Sequence, residues 1–203
     1  MEQFVDLTIF SDMNTPVYPG DPKPVFERVA QDEKDGWNEH RITINTHFGT
    51  HIDSPFHMFS TGKSISDYEL DKFIGRGIVL DVRGQHEIDV ELDDVKQNDI
   101  VLLWTNHISK ARENDFYIDP PTISSSFAEK LIAKKVKLVG LDSYSPDLPP
   151  FPIHKALLSN EILIVENIDN LKSIYNVNIN IFVLPMKFNN LDGAPCRVIA
   201  QIV

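Results

Sequence analysis

The chain has 203 residues, 42% of them hydrophobic, which is enough for one sizeable hydrophobic core. Its 30 acidic and 19 basic side chains give a formal net charge of −11, which argues against nucleic acid or an anionic membrane as a partner and favours a small-molecule substrate. The single cysteine, Cys196, cannot form an internal disulfide, and no segment resembles a signal sequence or a membrane span, so we expect a cytoplasmic protein.

Strands outnumber helices in the predicted secondary structure. No repeat, low-complexity run or linker divides the chain, so we expect a single domain over residues 1–203. Short β-branched runs bounded by turn formers predict eight strands, at residues 4–10, 41–48, 77–82, 99–105, 136–142, 162–167, 180–185 and 197–203.

Helices are fewer but well marked. The capping-box spacings of Ser66 with Glu69 and of Ser126 with Glu129 predict two helices, and residues 154–160 predict a short third one. The segment 105–122 has little periodicity and is long for a compact connection. Such a segment is either a functional lid or an arm that a neighbouring subunit orders.

A histidine-rich stretch, NTHFGTHIDSPFHMF, carries the strongest functional signal. Its titratable residues all occupy odd-numbered positions, so they share one face where the chain is extended; they are His47, His51, Asp53 and His57. Burying such groups unsatisfied costs about 2–7 kcal/mol each. We therefore expect them to bind a ligand, the alternative being a polar strand face whose histidines only form hydrogen bonds in a cleft.

A divalent metal ion fits this pattern provided that the strand bends. In a straight strand His47 and Asp53 would stand about 20 Å apart, too far to reach one ion at roughly 2.0–2.2 Å. Gly49 and Pro55 are the residues that permit or impose such a break. Two imidazoles and a carboxylate suit Zn²⁺, Mn²⁺ or Fe²⁺, and His57 then remains nearby as an acid or base.

Other polar residues carry weaker signals. Glu166 ends the apolar run ILIVEN, where an unpaired carboxylate would be costly, so a bound cation is a good explanation and an exposed strand end is the alternative. The polar residues of LDSYSPD are expected to form turns and caps. Cys196 lies in an apolar run and is expected to be a small core residue rather than a nucleophile.

The motif HFGTHIDSPFH resembles the His-x-Gly-Thr-His-x-Asp-x-Pro-x-His signature of the cyclase-like metal-dependent hydrolases, the family that contains bacterial kynurenine formamidase and isatin hydrolase. Further blocks resemble this family in the same order and extend over nearly the whole chain: TPVYPGDP, LDKFIGRGIVLDV, VGLDSYSPD, FPIHKALLSNEILIVENIDNL and DGAPCRVIA. The resemblance implies an α/β protein with a swivelling β/β/α fold, strand-rich with a few helices, that forms a homodimer or a larger assembly of dimers.

The resemblance also implies a role for each matching residue. The implied metal ligands are His47, His51, Asp53, His154 and Glu166, which would hold one or two ions, with zinc first and manganese second. Asp53 would bridge two ions, and His57 would be the catalytic proton donor and acceptor.

The implied reaction is hydrolysis of the C–N bond of an amide or formamide, foremost of N-formylkynurenine to kynurenine and formate. Alternatives are a lactam or cyclic-imide hydrolase of the isatin type, a metal-dependent cyclase, and a metal-holding binding protein without turnover. The presence of His57, which the first metal does not require, argues against the binding protein.

Three positions bear on the substrate. Tyr18 would contact the substrate from a position where the formamidases commonly have Trp, and it still offers a flat face with a polar tip. Asn106 and His107 replace the last two residues of a Thr-Gly-Trp sequence that relatives often carry. Arg197 could bind a substrate carboxylate bidentately or form a structural ion pair.

Overall fold

The computed structural model describes residues 3–203. Its strands are β1 (Gln3–Asp6), β2 (Val25–Ala30), β3 (Glu39–Thr43), β4 (His51–Asp53), β5 (Ile74–Asp81), β6 (Glu87–Ile88), β7 (Ile100–Trp104), β8 (Thr122–Ile123), β9 (Leu138–Leu141), β10 (Leu163–Glu166), β11 (Ile179–Pro185) and β12 (Gly193–Ile202). Its α-helices are α1 (Asp32–Asp35), α2 (Ser125–Lys134) and α3 (Pro152–Ser159). No helix within the described range is long and apolar enough to cross a membrane.

The main sheet closes on itself. Its eight strands follow the order β1-β12-β11-β5-β7-β9-β10-β4, and β4 pairs back onto β12. The long strand β12 makes this closure possible, because β4 pairs with its beginning and β1 with its end. The other strands form two separate pairs, β2 with β3 and β6 with β8. This strand-rich, barrel-like sheet with few helices confirms the predicted fold class.

Two hydrophobic clusters cover the two faces of the sheet. In β7, Ile100, Leu102 and Trp104 belong to the cluster that the strands enclose, whereas Val101 and Leu103 belong to the cluster shared with α2 and α3. This period-2 alternation explains why β7 is apolar at every position. It also places α3 on the outer face of the sheet, in contact with β10.

Most predicted strands form within a few residues of their expected bounds, but the strand expected over residues 41–48 is wrong in its second half. β3 ends at Thr43, and His51–Asp53 form a separate strand after a turn in which Gly49 has a φ of 64°. Only glycine adopts this conformation at little cost, so the chain bends there as the motif predicted. His51 and Asp53 therefore share one face of β4, as expected, whereas His47 lies outside the strand.

The helix expected after Ser66 is also wrong. Ser64 and Asp67 form the capping box of a 3₁₀ turn, Ile65–Asp67, a second 3₁₀ turn follows at Leu70–Phe73, and β5 begins at Ile74. The second predicted helix is α2, whose N-terminal cap is Ser124 rather than Ser126. The third, α3, begins two residues earlier than expected, at Pro152. Pro152 suits this position because the first helical turn does not need its missing N–H.

Candidate active site

Two paired strands bring the first group of polar side chains together. In the register of β4 against β10, His51 lies directly opposite Glu166, so the two side chains point to the same face of the sheet. Asp53 follows on that face two residues later. All three are buried, with exposed fractions of 5% or less. The burial of Glu166 excludes the exposed strand end that the sequence left open.

Helix α3 adds His154 to this group. His154 Nε2 lies 3.3 Å from Glu166 Oε1, and its Nδ1 lies 2.5 Å from Asp147 Oδ1. A carboxylate can only accept, so Nδ1 carries the hydrogen and the lone pair of the neutral ring is on Nε2. Asp147 also accepts the backbone N–H of Ile153 at 2.5 Å, which fixes it at the first turn of α3. Asp147 is thus a cap, as predicted, and also orients His154.

His51 is oriented in the same way by backbone. Its Nδ1 lies 2.8 Å from the carbonyl oxygen of Gly49, which can only accept, so the hydrogen is on Nδ1 and Nε2 points toward Asp53 and Glu166. The amide of Asn167 donates to the same carbonyl at 3.2 Å. Gly49 therefore serves the site directly, because its carbonyl oxygen accepts from the His51 ring and fixes its orientation.

The two remaining histidines of the motif contact a carboxylate that sequence reasoning missed. His47 Nε2 lies 2.8 Å from Asp192 Oδ2, and His57 Nδ1 lies 3.3 Å from the same oxygen. The two rings are adjacent, with centroids 4.1 Å apart. Asp192 immediately precedes β12, and its position in DGAPCRVIA was the available signal. Its place beside the histidines depends on the pairing of β12 with β4, which the sequence did not reveal.

The cluster carries a surplus of negative charge, and this shifts the ionisation of its histidines. Burial lowers the pKa of His47, but the charge of Asp53 and a hydrogen bond to Asp192 outweigh it and raise the pKa to about 11. Burial likewise opposes protonation of His154, yet the hydrogen bond to Asp147 and the nearby negative charge of Glu166 raise its pKa to about 10. No Lys or Arg lines this cavity among the described residues. The site is therefore built to attract cations.

The same residues fit a divalent metal ion. His51 Nε2 and Glu166 Oε1 are buried without a hydrogen-bond partner among the residues described. Asp53 Oδ1 is also unsatisfied, because its 2.7 Å contact with His47 Nδ1 lacks the geometry of a hydrogen bond. Buried polar atoms are normally satisfied, and imidazole nitrogen with carboxylate oxygen is a donor set that Zn²⁺ and Mn²⁺ accept.

Asp53 lies between two halves of this cluster. Its Oδ1 faces His47 and His51, at 2.7 and 3.5 Å, whereas its Oδ2 lies 3.7 Å from His154. His154 in turn contacts Glu166. The five expected ligands are therefore brought together, in an arrangement that can accommodate one or two ions.

A cavity of about 550 Å³ opens above the cluster, a size that suits a small organic molecule. Besides the polar cluster, it is lined by the aromatic rings of Tyr18, Tyr117, Tyr144 and Phe151 and by the carboxylate of Asp21. Tyr18 lies with its ring centroid 6.2 Å from those of both Tyr117 and Tyr144. The predicted substrate contact at Tyr18 is thus part of an aromatic wall directly beside the expected metal ligands.

The segment 105–122 supplies part of this wall. It begins with a 3₁₀ turn, His107–Lys110, and buries Phe116. His107 Nε2 donates to the carbonyl of Phe116 at 2.7 Å, and the hydroxyl of Tyr144 donates to the carbonyl of Tyr117 at 3.2 Å. These bonds hold Tyr117 at the cavity, so the segment borders the site within this chain.

Arg197 and Cys196 have structural rather than catalytic roles in their observed positions. Arg197 forms a bidentate ion pair with Asp6, with Nε–Oδ1 and Nη2–Oδ2 distances of 2.9 and 2.6 Å, and it does not line the cavity. Cys196 is buried among strand residues, and burial raises the pKa of its thiol. Both observations favour the structural interpretations, the ion pair for Arg197 and the core residue for Cys196.

Comparisons with known proteins agree with the motif. Residues 5–148 match the model of the Cyclase family, described as "Putative cyclase". A kynurenine formamidase of Erythrobacter litoralis is 33% identical over 194 residues, which cover 92% of this chain and 88% of that protein.

Solved structures share the fold over almost the full length. A "potential metal-dependent hydrolase with cyclase activity" has a TM-score of 0.85 at 25% identity and covers 100% of this chain and 99% of its own. Isatin hydrolase A from Labrenzia aggregata, bound to benzyl benzoate, has a TM-score of 0.88 at 22% identity, covers 99% of this chain and 94% of its own, and shows the shared fold alone. The predicted family is thereby confirmed, and the chain belongs to the Cyclase family.

Proposed function

We propose that this protein is a metal-dependent amidohydrolase that cleaves the C–N bond of an aryl formamide, with N-formylkynurenine as the foremost substrate and kynurenine and formate as products. The observation that carries the proposal is the convergence of five ligand-type side chains, three with unsatisfied buried atoms, beneath an aromatic cavity. The kynurenine formamidase relative at 33% identity supports the same reaction class.

We propose that His47, His51, Asp53, His154 and Glu166 hold the metal, with zinc as the first choice and manganese as the second. Such an ion, when bound, supplies Lewis acidity that promotes ionisation of water and polarises a carbonyl oxygen. In both His51 and His154, Nδ1 donates to a fixed acceptor. This keeps each ring oriented and leaves Nε2 available to bind the ion.

His57 is the residue best placed to move protons. One of its ring nitrogens lies within 4.8 Å of the ligand atoms of Asp53 and His154, while its Nδ1 faces Asp192. An amine is a poor leaving group unless it is protonated, so His57 can accept the proton of the attacking water and deliver one to the departing nitrogen. Proton transfer of this kind contributes about 10²–10⁴-fold to rate.

The cavity walls fit an aromatic substrate with a charged side group. The rings of Tyr18, Tyr117 and Tyr144 offer flat faces for an aryl group. Asp21 lines the same cavity, and its carboxylate forms no ion pair or side-chain hydrogen bond with any described residue. An unpaired carboxylate suits the ammonium group of N-formylkynurenine, which isatin lacks. This favours the formamidase reaction over the isatin type, although the shared fold keeps a lactam as the second candidate.

A substrate panel with and without chelator tests the proposal. Purified protein is assayed with N-formylkynurenine, formanilide and isatin, each with native metal, after chelation, and after addition of Zn²⁺ or Mn²⁺. We expect turnover of the formamides that disappears on chelation and returns with metal. Preferential turnover of isatin would support the lactam hydrolase instead, and stoichiometric metal without any turnover would support a binding protein.

We also propose that the protein forms a homodimer. The β2–β3 hairpin pairs with no other strand of the described chain, and it exposes apolar side chains that include Val25, Val29 and Ile42. Isolated two-stranded hairpins are marginal in water, and exposed apolar clusters favour association. Light scattering should give twice the chain mass for the wild type, and Ile42→Asp should shift the equilibrium toward monomer. A monomeric wild type would refute the proposal.

A further inference from the structure

Asp192 lies between His47, an expected metal ligand, and His57, the expected proton carrier. Its Oδ2 lies 2.8 Å from His47 Nε2 and 3.3 Å from His57 Nδ1. Its other oxygen, Oδ1, accepts a hydrogen bond from the hydroxyl of Thr46 at 3.0 Å. One carboxylate therefore contacts three side chains: Oδ2 contacts both histidines, and Oδ1 contacts Thr46.

The backbone holds this carboxylate in register with the ligands. The carbonyl oxygen of Asp192 accepts both the N–H and the hydroxyl of Ser54, each at 2.9 Å, directly after β4. The next residue, Gly193, pairs with Asp53 across the β4–β12 ladder. Asp192 is thus attached at two adjacent points to the segment that carries Asp53.

This contact decides which nitrogen of each ring carries a hydrogen. An ionised carboxylate can only accept, so Nε2 of His47 and Nδ1 of His57 must donate. The remaining nitrogen of His47, Nδ1, is the one that faces Asp53. For His57 the remaining nitrogen is Nε2, which is left for proton transfer. The contact therefore assigns opposite tautomers to the neutral forms of the two rings, whose centroids are 4.1 Å apart.

We propose that Asp192 is a positioning residue that fixes the tautomer and ring orientation of both His47 and His57. The catalytic consequence rests on the proposed function, but the effect of Asp192 on the tautomer and orientation of the two rings does not. Removal of such an outer carboxylate typically reduces metal affinity or activity about 10–100-fold. The effect acts through the two rings and requires no contact between Asp192 and the substrate.

Imidazole ¹⁵N NMR of the metal-free protein tests the structural content. At a pH where the His57 ring is neutral, we expect the Nδ1–H tautomer in the wild type and a shift toward Nε2–H in Asp192→Ala. Thr46→Val is the matched control, because it removes the bond to Oδ1 and leaves both contacts of Oδ2. An unchanged His57 tautomer in Asp192→Ala would overturn the proposal, whatever the substrate of the enzyme proves to be.

Kinetics and metal content test the consequence. At saturating metal we expect Asp192→Ala to lower kcat about 10–100-fold with a change in KM of less than about threefold, and Asp192→Asn to keep part of the rate because its amide oxygen still accepts from one ring. The number of ions bound at saturation should not change. Loss of one whole ion would overturn the proposal, because it would make Asp192 a ligand; an inactive wild type with the expected tautomers would instead refute only the proposed function.

Discussion

Asp147 offers a sharp test of how the proposed metal site is held, because a matched carboxylate lies five residues before it. Asp147 accepts hydrogen bonds from the backbone N–H groups of Ile153 and His154 and from His154 Nδ1, at 2.5, 3.3 and 2.5 Å. Asp142 also accepts three, from the N–H and hydroxyl of Thr105 and the N–H of Asn106, at 2.7, 2.5 and 2.7 Å. Both carboxylates are buried, but only Asp147 contacts an expected ligand.

The substitutions Asp147→Asn and Asp142→Asn should therefore cost similar stability and different metal affinity. Each leaves buried donors imperfectly satisfied, so the free energy of unfolding of the metal-free protein should fall by about 1–3 kcal/mol in both. Only Asp147→Asn leaves a single amide oxygen to accept from both the backbone N–H groups of α3 and His154 Nδ1. Its metal affinity should therefore fall about 10–100-fold, or roughly 1.4–2.7 kcal/mol.

Urea denaturation of chelated protein measures the free energy of unfolding, and competition with a chromogenic zinc chelator measures the metal affinity. The expected affinity of Asp142→Asn lies within about threefold of the wild type. An equal loss of metal affinity in both variants would show that metal affinity follows the general stability of the fold. Unchanged affinity in Asp147→Asn would refute the assignment of His154 as an oriented ligand.

The same geometry supports four further predictions. His57→Ala should retain metal and lose about 10²–10⁴-fold in kcat, whereas His51→Ala should lose metal; metal analysis and turnover separate the two, and a fully active His57→Ala would contradict its role. Asp21→Asn should raise KM for N-formylkynurenine about two- to fivefold, the modest effect of an exposed ion pair, and leave KM for formanilide unchanged. Hydrogen bonds to His47 and His57 hold the pKa of Asp192 below its ordinary value of 3.8, so the folded state binds fewer protons than the unfolded chain. The resulting stabilisation is present above pH about 4 and is lost as the pH falls. Urea denaturation at pH 7 and pH 3 should therefore show a smaller loss of unfolding free energy on acidification in Asp192→Asn than in the wild type. Gly49→Ala should destabilise the protein by about 1–2 kcal/mol and lower its metal content, because the added Cβ would lie 2.5 Å from Ser11 Oγ and disturb the carbonyl that orients His51.

Local sequence patterns predicted most strands and the main functional motif. The apolar runs of β7, β9 and β10 are short, β-branched and bounded by turn formers, so propensity and burial agree. Strand β2 escaped prediction because four of its six residues are exposed and it lacks the alternation of apolar and polar residues that a buried face would impose. The helix expected after Ser66 failed because a capping signal is local, whereas the length of a helix depends on the residues beyond its cap, and here those residues enter β5.

The site was predictable as far as its residues are close in sequence or carry the family motif. His51 and Asp53 follow from strand parity, and the bend at Gly49 follows from residue type. Asp192 and Tyr117 could not be identified in this way. Asp192 reaches the site through the pairing of β12 with β4, and Tyr117 through bonds made by His107 and Tyr144. Such long-range contacts leave no periodic trace in the chain.

The proposed function requires that the buried cluster of β4, β10 and α3 binds a divalent metal. Anomalous X-ray diffraction from crystals of the purified protein, recorded on both sides of the zinc absorption edge, tests it most directly. We expect anomalous density bounded by His51 Nε2, Asp53 and Glu166, which disappears in crystals of His51→Ala. Crystals grown with excess Zn²⁺ that show no anomalous density among these residues would contradict it.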